Sequence, residues 1–390
     1  MFEIKAATET GLYERQVSAM MEKQQHILSV LSKKTYSIDC NGKCFEADQN
    51  LPLYEEFIYY PDNNKLLQHD SDLYAFKPLT DVIIKGHATH KHPTARFVAG
   101  VQVGRHSTEI LVQGNRKAFL NAENKIQFTA AELIQQVPLR YDYAYGGCDT
   151  EAEKKIILPD PEVIKLLPAG FDLFAKSLFR YQRNLAGKGY IVQNNRASFD
   201  NLELPNLEDP LDLLTPENLL VGDENRWHEM PLPRCTDWVD ILFYPRLDYF
   251  GIAKIFEKKP YQLKETIRKW ADKSLLSETK PPDSFNHRCC NGASLGLQLP
   301  YVARGEQVRL TNMHPKHADF KFELPAEYPR IWIDGRKGKL LETKPVIQTV
   351  VIEPDENRLS LVWRGTGPAL RPYHDDELKS MPFKVEWNSK

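Results

Sequence analysis

Gly292-Ala293-Ser294-Leu295-Gly296 matches the Gly-x-Ser-x-Gly pattern that presents a serine hydroxyl for attack on an acyl carbon. Asp334 and His374 follow it in the chain order Ser, Asp, His that one class of serine hydrolases uses. That chemistry needs an apolar strand entering a sharp turn and a helix leaving it, so that the hydroxyl sits at a helix N-terminus within reach of its base. Here the entry is Asn286-His287-Arg288-Cys289-Cys290-Asn291, and Pro300 stops any helix within two turns. The pattern lacks its context on both sides, and a serine hydrolase using Ser294, Asp334 and His374 stays as the second reading.

His87, His90 and His92 cluster after an apolar run, and His90 and His92 share a face wherever the chain is extended. A catalytic zinc site needs three converging ligands with a partner behind each ring, and His-x-x-His-x-His beside Lys85, Lys91 and Pro93 reads instead as a solvated turn. Cys40 and Cys44 flank Asn41-Gly42 with no second pair to complete a tetrahedral site, and adjacent Cys289 and Cys290 cannot enter one pocket without strain. Both pairs read as unligated thiols, so no metal is expected. Gly187-Lys188-Gly189 lacks the glycine spacing and the Ser/Thr of a phosphate loop, and no cofactor is expected.

Pro138-Leu139-Arg140-Tyr141-Asp142-Tyr143-Ala144-Tyr145-Gly146-Gly147-Cys148-Asp149 carries a different chemistry, that of contact. As a strand it alternates Arg140, Asp142 and Ala144 with Tyr141, Tyr143 and Tyr145, which places three phenol rings on one face. Gly146-Gly147 then permits a reversal that a Cβ would resist. Such a ladder packs as a sheet edge, and its rings also make a contact surface, because Tyr binds with little loss of rotamer freedom.

The elements that must position these residues are short strands. The chain has 390 residues, 26 of them proline and 20 glycine, with an aromatic share of 11%, which favours strands and turns over long helices. Lys+Arg at 51 nearly cancels Asp+Glu at 53, so no net field attracts nucleic acid or an anionic membrane. The N-terminus Met1-Phe2-Glu3-Ile4-Lys5 is no secretory signal, and no apolar run of about eighteen residues predicts a membrane-spanning helix. The six cysteines, which include Cys148 and Cys235, read as reduced thiols of a cytoplasmic protein.

A short helix is expected within Tyr13 to Lys23, then a hairpin of His26–Asp39 and Lys43–Ala47 across Asn41-Gly42. Strands are predicted over Glu56–Tyr60, Val82–Gly86, Ala95–Val103, Thr108–Gln113 and Lys125–Thr129. Later strands are predicted over Gln307–Asn312, Phe320–Leu324, Arg330–Asp334, Val346–Glu353 and Arg358–Trp363. Prolines interrupt 150–285, where Phe171–Tyr181 and Leu263–Leu276 have helical periodicity. The expected fold is mainly β (α+β), with antiparallel sheets and an irregular, partly helical middle insertion. Its expected division is an N-terminal segment 1–25, a β-rich half 26–149, the insertion 150–285, a second β-rich half 286–366 and a polar tail 367–390.

Several stretches in order resemble a bacterial domain-of-unknown-function family whose members accompany type VI secretion spike proteins and PAAR-repeat toxins. They are Lys34-Thr35-Tyr36, the run from Ser71 to Ala88 that contains Lys77-Pro78, Asp81 and Gly86, the run from Pro138 to Asp149, and Asn184-Leu185-Ala186-Gly187-Lys188-Gly189-Tyr190. Leu204-Pro205-Asn206-Leu207-Glu208, Gly305-Glu306-Gln307-Val308 and Leu361-Val362-Trp363-Arg364 continue the order. Tyr143 departs from the family pattern by standing where a basic residue is usual. The resemblance implies a non-enzymatic cytoplasmic adaptor that holds a toxin effector and seats it on the VgrG spike. Tyr141, Tyr143, Tyr145, Gly146 and Gly147 are the candidate partner surface; Lys77, Pro78, Asp81, Gly86, Arg140 and Asp149 are candidate structural residues. An Asp81–Arg140 ion pair is expected to brace the two longest stretches.

Overall fold

The computed structural model describes residues 13–20, 26–154, 179–249, 286–334, 338–371 and 373–388. The architecture is mainly β, as expected. The largest sheet runs in the order Tyr13–Met20, His26–Ile38, Arg358–Ala369, Val346–Glu353, Thr80–Ile84, Gln298–Leu299, with Cys44–Glu46 added to His26–Ile38. All its pairings are antiparallel except that of Val346–Glu353 with Thr80–Ile84. A second sheet of five strands runs Leu207–Glu208, His106–Gln113, Arg96–Val103, Gln307–Thr311, Asp319–Glu323.

Burial follows from how many faces each strand covers. In Asp319–Glu323 every second residue is buried, the period of a strand with one wet face. Thr80–Ile84 is buried throughout, as is Val346–Glu353 after its first residue, so the large sheet is covered on both faces. One face carries Val82, Ile84, Val350, Ile352, Leu359 and Leu361 into a single apolar cluster with Phe97, Val101, Ile110, Val112, Val308 and Leu310 of the five-stranded sheet. The other face sets polar groups beside a small apolar cluster of Leu31 and Val362. Ser29, Lys33, Thr35, Gln348, Thr349 and Arg364 are all buried there.

The expected hairpin across Asn41-Gly42 forms, with Ile38 opposite Cys44 and Gly42 at φ 78°, and Pro354–Asn357 turns the Val346–Glu353 strand into Arg358–Ala369 with Asn357 in the left-handed region at φ 51°. Two expectations are corrected, at Tyr13–Met20 and at His87 to His92. Tyr13–Met20 is a strand, because the edge of His26–Ile38 pairs it from Tyr13 opposite Lys33 to Met20 opposite His26, and that pairing outweighs a weak helical pattern. Within the tail, Asp375–Ser380 is helical, and Phe383–Asn388 pairs with Tyr328–Ile333. Tyr373, Leu378 and Met381 bury themselves there with Leu28, Val30, Ile331 and Ile333. The His87 to His92 run is part of a strand, His87–Thr94, and not a turn, because it pairs with Ile134–Pro138.

The middle section is irregular where it is described, built from two-residue strands, 3-10 turns and the short helix Arg246–Tyr249. The helix expected over Leu263–Leu276 lies outside the described residues. So does most of Phe171–Tyr181, of which 179–181 are not helical.

Leu361 is fully buried at the centre of the large sheet. Leu361→Ala is expected to lower stability by about 2–5 kcal/mol through lost burial and a cavity. Chemical denaturation of the full chain measures this, and an unmoved midpoint would contradict the packing described.

Candidate functional site

The polar face of the large sheet is roofed by residues 70–79. Lys33 pairs with Asp72 at 2.8 Å, and Ser29 donates to the Ala75 carbonyl at 2.7 Å. Arg364 donates to the Lys77 carbonyl at 3.1 Å and to Oε1 of Gln348 at 3.0 Å, with its guanidinium 4.8 Å from the Phe76 ring. Lys77 reaches back to Asp81 at 2.7 Å and to Oγ1 of Thr349 at 3.3 Å. Asp81 is the meeting point, because it also accepts from Nδ2 of Asn291 and from the backbone N–H groups of Gly292 and Ala293, at 2.9, 2.9 and 3.2 Å. Arg246 closes the far end, donating to Asp70, the Tyr74 hydroxyl and the carbonyls of Val239 and Cys289 at 2.6–2.8 Å. Burial pushes the Asp70 carboxyl up against the pull of Arg246, and burial draws the Arg364 guanidinium down to about 10.

The Pro138-to-Asp149 run is not the expected strand. After Ile134–Pro138 the chain makes a 3-10 turn over Tyr141–Tyr143 and a two-residue strand, Tyr145–Gly146. The turn breaks the period of two, so the three rings separate. Tyr141 enters the main core, its ring edge-on to Phe243, while Tyr145 enters a second cluster against Tyr181 and Tyr190. Tyr143 alone is half-buried, with Nζ of Lys188 5.2 Å from its ring. The continuous tyrosine surface is therefore absent.

The Asp81–Arg140 brace is also corrected. Arg140 pairs with Asp62 and Asp142 at 2.9 Å and stacks on Tyr60, while Asp81 is satisfied by Lys77. The two long stretches do touch, through the Leu139 N–H donating to the Gly86 carbonyl at 2.9 Å. Pro78 is half-buried within the roof.

Gly146 and Gly147 do their work by close approach. Tyr145–Gly146 pairs in parallel with Lys188–Gly189, and Asn184 clasps the junction by donating to the Tyr141 and Tyr145 carbonyls at 2.7 and 3.0 Å. A Cβ on Gly146 would lie 2.3 Å from the Asn184 carbonyl oxygen, and one on Gly147 2.3 Å from that of Gly187; both residues also hold positive φ. Asp149 then caps the helix Thr150–Glu153 through the Ala152 N–H and also accepts from the Val192 N–H and the Ser198 hydroxyl. These two glycine segments and residues 196–203 surround an open polar cleft of about 290 Å³. Glu151, Asp200, Glu203 and Lys188 are among the charged groups that line it.

The hydrolase residues are set in different surroundings. Ser294 is buried in the loop that wraps Asp81, beside Tyr141, and the segment after it leads into the strand Gln298–Leu299 where an elbow requires a helix. Asp334 follows Ile333 and His374 follows Tyr373, both members of the separate cluster beneath the C-terminal helix. His87 pairs with Asp355 at 2.6 Å, and Nδ1 of His90 lies 2.8 Å from the His92 carbonyl oxygen. Among the described residues no three His, Cys, Asp or Glu side chains gather as metal ligands. No helix among them is long and apolar enough to cross a membrane.

Residues 23–364 match a family model described as "Uncharacterized protein conserved in bacteria (DUF2169)". The chain belongs to this family. No curated protein and no solved structure matches it.

In this DUF2169 chain, several residues that hold the site together carried no sequence signal of their own. Asp70, Arg246 and Asn291 lie far apart in sequence and meet only through the fold. Asn184 was visible only as the first residue of the Asn184-to-Tyr190 piece.

Removing Asp81 would strand a buried Lys77 and three further donors, so Asp81→Ala is expected to cost about 3–5 kcal/mol. Arg140→Ala, at a partly exposed pair, is expected to cost about 1 kcal/mol or less. Denaturation midpoints of the two variants measure the contrast, and equal losses would contradict the roof as the main brace. His69 provides a pH reading. Its ring stacks on Tyr54 at 4.1 Å, and burial, aided by Lys85 and Lys33, lowers its pKa to about 2. The unfolded chain takes up that proton near 6.5, so the His69 contribution is present above about pH 6.5 and is lost as pH falls toward 2. The His69 imidazole resonances are expected to stay flat between about pH 8 and 5; a midpoint near 6.5 would contradict its burial.

Proposed function

We propose that the protein is a non-enzymatic cytoplasmic adaptor that binds a type VI secretion toxin effector and helps load it onto the VgrG/PAAR spike. The reading rests on the ordered stretches that resemble such adaptors. The observation that carries it is that two of them, 138–149 and 184–190, meet backbone to backbone and frame an open cleft of about 290 Å³. A frame of packed glycines and buried carbonyl acceptors is preformed, so capture of a chain segment requires little ordering of the adaptor itself. The exposed carboxylates of Asp200 and of Glu203, whose Oε2 lies 3.5 Å from Nζ of Lys188, favour a toxin segment that carries lysine or arginine there. Rim charges of this kind steer encounter and register and still permit release, which a carrier needs.

Co-expression with toxin and spike proteins encoded beside it, followed by affinity purification and size-exclusion chromatography, tests the proposal. The toxin is expected to co-elute with the wild-type chain and to be lost from the double variant Asp200→Lys, Glu203→Lys without a change in melting temperature. Elution of the chain alone, with both partners soluble, would overturn the adaptor reading. Undiminished capture by the charge-reversed variant would move the binding surface away from the cleft.

A further inference from the structure

We propose that Cys289 and Cys290 form a reversible oxidation site, which a peroxide closes into a vicinal disulfide that loosens the clasp on Asp81. The sequence suggests that adjacent cysteines avoid one another, yet the 3-10 turn His287–Cys290 brings their sulfurs to 3.8 Å. Cys289 is buried and Cys290 half-buried, so an oxidant from solvent meets Cys290 first. Two guanidinium groups flank the pair. Nε of Arg246 donates to the Cys289 carbonyl at 2.8 Å, and Arg364 lies near enough to Cys290 for the two to interact. Arg364 makes its hydrogen bonds to the Lys77 carbonyl and the Gln348 amide oxygen, and burial pushes the Cys289 thiol up, so that sulfur stays protonated until it attacks.

The chemistry runs in two steps. The Cys290 sulfur attacks one peroxide oxygen, an S–O bond forms and the O–O bond breaks, and the thiol proton leaves with the departing hydroxide as water. The Cys289 sulfur then attacks the Cys290 sulfenic sulfur; the S–S bond forms, the S–O bond breaks, and the Cys289 proton and the hydroxide leave as a second water. The dithiol gives up two electrons, and one hydrogen peroxide is reduced to two waters.

Closure cannot be local. Adjacent Cα atoms stand about 3.8 Å apart across a trans peptide, below the roughly 4.4–6.8 Å that disulfides usually span, so the ring is strained and readily reduced again. The sulfurs must approach to about 2.05 Å, which twists the peptide they share. The next three residues supply all the Asp81 contacts from this loop, and Gly292 has no slack: a Cβ there would lie 2.3 Å from Oδ2 of Asp70 and 2.8 Å from the Trp238 ring. Strain at the dithiol therefore passes directly to the roof of the large sheet.

The test uses the full chain, hydrogen peroxide, alkylation under denaturing conditions, and tryptic mapping. Cleavage after Arg288 yields a peptide running from Cys289 to Arg304 with no other cysteine. That peptide is expected to lose two hydrogens in mass, to resist alkylation, and to regain both thiols with dithiothreitol. The oxidised wild type is expected to melt lower than the reduced form, and Cys290→Ser to show no such shift. Oxidation of Cys290 to the sulfinic acid with Cys289 still alkylatable would overturn the site. A disulfide that leaves the melting temperature unchanged would overturn its coupling to Asp81.

Discussion

A buried charge is costly unless it is paired and hydrogen-bonded, and the second face of the large sheet follows that constraint at Lys33, Lys77 and Arg246, while Arg364 is held by two neutral oxygens. Lys33, Lys77, Arg246 and Arg364 lie in its interior, answered by Asp70, Asp72 and Asp81 and by amide, hydroxyl and carbonyl oxygens. An apolar face would accept many coverings. This one accepts a covering whose donors and acceptors coincide with those of the sheet, so it specifies where residues 70–79 and the Asn291–Ala293 loop must lie. His26–Ile38 and the distant hairpin of Val346–Glu353 and Arg358–Ala369 share that requirement on top of their backbone pairing.

The second tie is steric. Gly146 and Gly147 let backbone touch backbone, and Asn184 donates to the Tyr145 carbonyl and to the Tyr141 carbonyl, which also accepts from the Ala144 N–H. The cleft is a by-product of that closeness, since two segments joined so tightly leave a gap beside residues 196–203. Rigid framing and an open polar mouth are what capture of a flexible segment asks of an adaptor. Charge on the mouth and apolar aromatics behind it divide recognition from support.

Strands were legible where burial has one simple period or none. Phe320 to Leu324 alternates cleanly and Val82-Ile83-Ile84 is wholly apolar, and both are strands where expected. The tyrosine run misled because its period of two is real in sequence, while the Tyr141–Tyr143 turn uses the same residues to enter two separate cores. Tyr13 to Met20 misled because its structure is decided by a partner strand and not by its own pattern. Arg246 meets Asp70 across the fold, and no local spacing signals a contact of that kind. The glycine segments were legible as motifs, yet their close mutual approach was not.

Hydrogen–deuterium exchange of the chain, alone and with the toxin proposed as its partner, separates frame from surface most directly. Binding is expected to slow exchange at 148–151 and 196–203 while leaving 80–84 and 289–294 unchanged. Protection confined to other surfaces, with the cleft exchanging as in the free chain, would contradict the account.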